Sequence, residues 1–169
     1  MEFSIKVSLI SVAALLTACS SSLVVTINQQ AVYDPGGRLV LGEVADADLQ
    51  GCINLALQQQ GKESPSEITV LSCANAEINT LDNIKALSGL RFLDLGNNNL
   101  SNITPLEELI SIGGVNLANN RITDIGPLFN MPSLTSVNLR GNLGIACEEL
   151  DELQRKLGTN VILPRNCKD

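Results

Sequence analysis

The chain repeats itself at a fixed distance of 22 residues between Leu90 and Leu139. Three columns of apolar residues recur in phase, and they contain Leu90, Ile112, Leu134; Leu93, Val115, Val137; and Leu95, Leu117, Leu139. The same spacing begins one period earlier, at Ile68, Leu71 and Cys73. A unit of this length cannot bury its apolar side alone, so neighbouring units must stack. The sequence therefore predicts a repeat solenoid.

An asparagine also recurs in each of the three later periods, at Asn98, Asn120 and Asn142. Its column lies between apolar columns, so we expect these side chains to point inward and to satisfy buried backbone groups. The first period has Ala76 at this place, which predicts an irregular start of the ladder.

Further apolar columns follow the asparagine, and they contain Ile78, Leu100, Ile122; Leu81, Ile103, Ile125; Ile84, Leu106, Leu128, Leu150; and Leu87, Leu109, Met131, Leu153. The complete pattern, LxxLxLxxNxLxxIxxLxxLxx, resembles the leucine-rich repeat family in the 22-residue form of the internalins, over about residues 68–155. The resemblance implies an α/β repeat solenoid in which one short strand per repeat joins a parallel concave sheet. It also implies a surface that binds proteins.

Residues 1–18 have the features of a secretory signal, because their apolar run from Val7 to Leu16 is too short to span a bilayer. The segment Leu16-Thr17-Ala18-Cys19 resembles the bacterial lipobox. That resemblance implies cleavage before Cys19, transfer of diacylglycerol to its thiol and acylation of its new amino group, with palmitate as a typical acyl chain. Several acyl chains anchor a protein stably in a membrane.

The residue after the lipobox cysteine is Ser20 rather than Asp. By the sorting rule of such lipoproteins, this implies the cell outer membrane, on either its periplasmic or its surface-exposed side. The alternative interpretation is a cytosolic chain that happens to begin with an apolar segment.

Both flanks of the repeats predict capping elements, which terminal repeats need to cover their apolar edges. A helical pattern runs from Asp46 or Asp48 to Gln60 and stops at Gly61, and a second helix is expected over 147–157, followed by Gly158. We therefore divide the chain into a signal peptide (1–18), a lipidated tether (19–45), an N-terminal cap (46–67), the repeats (68–146) and a C-terminal cap (147–169). The tether includes the β-branched run 23–27 and the turn residues 34–37, so its structure is expected to be a linker or a hairpin.

Four cysteines remain when Cys19 is assigned to lipidation. They allow three disulfide connectivities, of which we choose Cys52–Cys73 and Cys147–Cys167, because each pair would link a cap to the repeats or close a cap. Zinc is the alternative, but the chain lacks CxxC spacing. Each bridge would stabilise the fold by about 3 kcal/mol.

The composition argues against an enzyme. The chain has no histidine, which removes the commonest general base and zinc ligand. The acidic groups lie at helix starts or on the outside of the return arms, where carboxylates favour the helix dipole, so we expect neither an enzyme nor a metal or cofactor site. A net charge of −7 argues against nucleic acid as a partner.

Recognition is left to the strand positions between the inward residues. The candidates with binding chemistry are Phe92, Asp94, Asn116, Asn138 and Arg140. The alternative is that the partner contacts the convex side, the caps or the tether. We expect a monomeric, non-catalytic outer-membrane lipoprotein that binds an unidentified protein; a structural envelope scaffold and an inhibitor or immunity-type protein that blocks one partner are the alternatives.

Overall fold

The computed structural model describes residues 25–27, 30–33 and 44–165. The lipobox, the turn residues 34–37 and Cys167 lie outside the described residues. Strands β1 (Val25–Ile27) and β2 (Gln30–Tyr33) pair as a two-stranded antiparallel sheet. Strand β2 contacts helix α1 (Ala47–Gln60).

Helix α1 has clear signals at both ends. The side chain of Asp46 accepts hydrogen bonds from the backbone amides of Asp48 and Leu49, and Gly61 ends the helix with φ of +62°. One side of the helix carries Leu49, Ile53, Ala56 and Leu57, which are buried. These residues belong to the same apolar core as the repeats, so the helix packs against one end of the solenoid.

The repeats build a parallel sheet of five short strands in the order β3–β4–β5–β6–β7. Their bounds are Val70–Ser72, Phe92–Asp94, Gly114–Asn116, Ser136–Asn138 and Val161–Ile162. Residues 22 apart are register partners from β3 to β6, as in Val70 with Phe92 and Phe92 with Gly114. The middle residue of each of these four strands is buried, which confirms the sheet that the period predicts.

The return arms are short helical turns on the opposite side of the core. They are 3₁₀ helices at Ile84–Leu87 and Thr104–Glu108, helix α2 at Gly126–Phe129 and helix α3 at Cys147–Leu157. Pro105 and Pro127 lie in the first turn of their arms, where a missing amide hydrogen costs no intrahelical bond. The apolar columns of the repeats fill the space between arms and sheet.

The recurring asparagines are buried and fully engaged. The side-chain oxygen of Asn120 accepts from the amide of Leu100, and its Nδ2 donates to the carbonyls of Leu95 and Leu117. Asn98 and Asn142 make the equivalent bonds one repeat earlier and one repeat later. Each asparagine therefore joins two neighbouring repeats.

Both ends of the array depart from the alignment. In the first repeat, Glu77 has φ of +62°, an uncommon conformation for a residue with this side chain. In the last repeat, Ile145 rather than Gly144 is buried and fills the apolar column. The 22-residue spacing would also place Cys147 in the apolar column of Leu81, Ile103 and Ile125, and that placement is wrong. Helix α3 begins at Cys147, which is exposed, while Leu150 packs inward.

A disulfide joins Cys52 of α1 to Cys73, with 5.8 Å between the Cα atoms. Cys147 also takes part in a disulfide, but its expected partner Cys167 lies outside the described residues, so that pairing stays a prediction. In the described part of the chain, the longest apolar helices fall short of the length and apolar character needed to cross a bilayer.

Candidate partner-binding face

The concave face of the sheet carries all five candidate residues. Phe92 and Arg140 are exposed, whereas Asp94, Asn116 and Asn138 are half-buried. The last three occupy one row, since they are register partners across β4, β5 and β6. The strands thus bring the predicted residues together on one side of the molecule.

The polar row is fixed by hydrogen bonds to its own backbone. The side-chain Oδ1 atoms of Asp94, Asn116 and Asn138 accept from the amides two residues later, at 3.0, 3.1 and 3.1 Å. Such bonds end each strand as an Asx turn. The interpretation of these residues as groups free for recognition missed this structural role, although the spacing of Asp94 to Gly96 is a usable signal for it.

Contacts between strands order the row further. Asn116 donates from Nδ2 to Asp94 Oδ1 at 2.7 Å, and the Ser72 hydroxyl donates to Asp94 Oδ2 at 3.3 Å. Asp94 therefore accepts three hydrogen bonds from groups of three different repeats. Because the row is already ordered, a ligand that contacts it would not have to immobilise these side chains.

The apolar part of the face lies on β3 and β4. Phe92 is 42% exposed and its register partner Val70 is 54% exposed. A Cβ atom on Gly114 would come within 3.0 Å of Phe92 Cδ2, so the ring lies against the bare backbone of the next strand. Gly114 is consequently buried, although the 22-residue period places it at a strand position between inward residues, where exposure is expected.

The chemistry of the face changes along the sheet. Arg140 follows β6, and the exposed Ile162 on β7 is the register partner of Asn138. Val70 and Phe92 lie as a pair at the end next to α1, whereas Ile162 is a single exposed apolar side chain at the other end. The 22-residue period places Val70 at an exposed strand position, whereas Leu55 of α1, which is 44% exposed, lies outside the repeats and has no such signal.

The described residues offer no assembled catalytic or metal chemistry. No group of three or more carboxylate or cysteine side chains among them is arranged to hold a metal ion. The chain contains no histidine that could serve as a general base.

Comparisons with known proteins agree with this geometry. Residues 114–155 match the family model described as leucine rich repeats in two copies. A search of curated proteins returns no match. Among solved structures, an internalin (InlF) from Listeria monocytogenes is similar with a TM-score of 0.61 and 27% identity, over 73% of this chain and 37% of that chain.

A second similar structure, internalin InlC2 from Listeria monocytogenes, has a TM-score of 0.53 and 23% identity, over 59% of this chain and 47% of that chain. The chain thus spans less than half the length of either internalin chain. The sheet, the asparagine ladder and these matches lead to one conclusion: the fold is a leucine-rich repeat solenoid that is similar to the internalin structures.

Proposed function

We propose that this chain is a non-catalytic outer-membrane lipoprotein that binds a partner protein through the concave face of its leucine-rich repeats. The observation that carries the proposal is the exposure of Phe92 and Val70 side by side on a sheet whose polar row is already ordered. Exposed aromatic side chains on rigid supports are the usual centres of protein interfaces. The likeness to internalins supports the same use of the fold.

Helices α1 and α3 serve this function as caps. Leu49, Ile53 and Leu57 of α1 cover one end of the core, and Leu150 and Leu153 of α3 cover the other. A solenoid without such covers would expose its apolar edges and associate through them. The caps therefore cover the ends of the core and leave the concave face available for apolar contacts with a partner.

The test of the binding proposal is Phe92→Ala. Loss of the ring removes the largest exposed apolar contact of the face, so we expect affinity for a co-purified native partner to fall about tenfold or more. Ile110→Ala is the matched control, because Ile110 is 65% exposed but lies outside the concave strands. Equal retention of the partner by both variants would contradict the proposal.

The test of the membrane anchor is Cys19→Ala. Without the thiol that accepts the lipid, we expect the chain to move from the membrane pellet to the soluble fraction of the envelope, because the acyl chains supply the membrane affinity. Fractionation of cells followed by immunoblotting measures the change. A variant that stays in the membrane pellet after a high-salt wash would count against lipidation at Cys19.

A further inference from the structure

A cleft lies in the corner between helix α1 and the first repeat. The helix contributes Gly51, Cys52 and Leu55 to one wall, and the repeat contributes Ser72 and the loop after it, including Ala74, Ala76 and Glu77. The cavity volume is about 510 Å³, within the range of sites that take a side chain or a small ligand. Small residues at its floor leave this space open.

The two walls are held together by bonds at three levels. The disulfide Cys52–Cys73 joins the two walls, and both of its cysteines line the cleft. At one end, Asp46 Oδ2 accepts from the amide of Asn79 at 2.9 Å, and at the other end Gln60 Nε2 donates to the carbonyl of Val70 at 3.2 Å. The cleft is therefore preformed, and its occupant would not have to order it.

Three exposed apolar side chains, which we call the apolar strip, lie in the cleft and on the two strands beside it. Leu55 lines it beside Ser72, which lies two residues after Val70 on the same face of β3, and Phe92 follows on β4. These three side chains are 44%, 54% and 42% exposed. Three exposed large apolar groups on the helix and the two strands at this end of a small protein indicate a contact surface.

The charge of the cleft has one sign. Glu77 lines it and Asp94 borders it through the hydroxyl of Ser72, and the described lining also includes Asp48 but neither lysine nor arginine. Carboxylates in a cleft whose described lining has no basic side chain favour a cation over an anion. An anionic lipid headgroup or an acidic peptide would meet like charge there.

We propose that this cleft binds a protruding segment of a partner protein in which a lysine or arginine stands next to an apolar residue. The cation pairs with Glu77, and the apolar side chain packs on Leu55 and Val70, with Phe92 extending the contact. This inference rests on the proposed function and adds the location and the chemical class of the partner segment.

The experiment selects short random peptides displayed on phage against the full chain. The enriched peptides are expected to carry a basic residue adjacent to Leu, Ile, Phe or Trp. A synthetic copy of the most enriched peptide is then titrated against variants by fluorescence anisotropy. Affinity should fall about tenfold with Leu55→Ser and with Glu77→Gln, and further with Glu77→Lys.

Two matched variants on other surfaces control for charge and apolarity. Ile110→Ser removes an apolar group that is 65% exposed, compared with 44% for Leu55, and Glu108→Lys reverses an exposed acid on a return arm. Both should change the affinity less than twofold. Non-reducing mass spectrometry of every variant verifies that Cys52–Cys73 is intact.

The remaining outcomes overturn the proposal in distinguishable ways. Peptides that lose affinity with Phe92→Ala but not with Leu55→Ser or Glu77→Lys would leave concave binding standing and refute the cleft. Peptides without basic residues, or with affinity unchanged by Glu77→Lys, would refute the partner chemistry. Failure to enrich any peptide, or binding that depends on Glu108, would refute the cleft site; loss of the native partner with Phe92→Ala tests the proposed function separately.

Discussion

At the scale of single residues, amide side chains do two different tasks that look alike in the sequence. Asn120 recurs in the strict period, is buried, and joins two repeats through three backbone hydrogen bonds. Asn116 recurs less regularly, is half-buried, and orders a turn on the surface. The first role was predictable because burial follows from the position between apolar columns. The second was not assigned because a polar row on an exposed face fits recognition equally well.

Replacement of Asn120 by Ala should destabilise the fold strongly. The change leaves the amide of Leu100 without its acceptor in the core, and the carbonyls of Leu95 and Leu117 each lose one of two side-chain donors. We expect a loss of about 3 kcal/mol in the free energy of unfolding. Asn130→Ala is the matched control, since the side-chain Nδ2 of Asn130 donates to Glu107 Oε1 at the protein surface. Its effect should stay within about 0.5 kcal/mol. Urea denaturation followed by circular dichroism compares the two, and equal effects would contradict the assigned role.

At the scale of elements, helix α1 is tied to the repeats through its first turn. Asp46 is only 8% exposed and accepts four backbone hydrogen bonds, two from its own helix and two from Asn79 and Thr80. The sequence predicted the helix and its inward side from spacing, and it predicted the pairing of Cys52 with Cys73. The second use of Asp46 was not predictable, because it depends on a loop 33 residues later in the chain.

Asp46→Ala should loosen the contact between α1 and the first repeat. Loss of a helix cap and of two bonds to the loop predicts a decrease of about 2 kcal/mol in stability. Hydrogen exchange should accelerate at the amides of Asp48, Leu49, Asn79 and Thr80, but remain slow at Leu117. Asp82→Ala serves as the control, because Asp82 is exposed and its bond to the amide of Ala45 uses the backbone. Uniform acceleration across the chain would contradict a local role.

At the scale of the whole molecule, one apolar core extends from Leu49 in α1 to Val161 in β7. This architecture could be predicted from the 22-residue period, because the apolar columns recur in phase. Which exposed side chains lie next to one another could be predicted less well. Phe92 stands out in the sequence, but its neighbours Val70 and Leu55 become a surface only when the helix lies beside the first strand, which periodicity does not specify.

The claim that the concave face binds a partner is tested most directly by photo-crosslinking in intact cells. Benzoylphenylalanine at position 92 replaces one aromatic ring by another on the apolar strip, and the same group at position 110 places it at an exposed position outside the concave strands. If the concave face binds the partner, position 92 gives a discrete crosslinked species and position 110 gives none. Equal crosslinking from both positions, or crosslinking from position 110 alone, would contradict this claim.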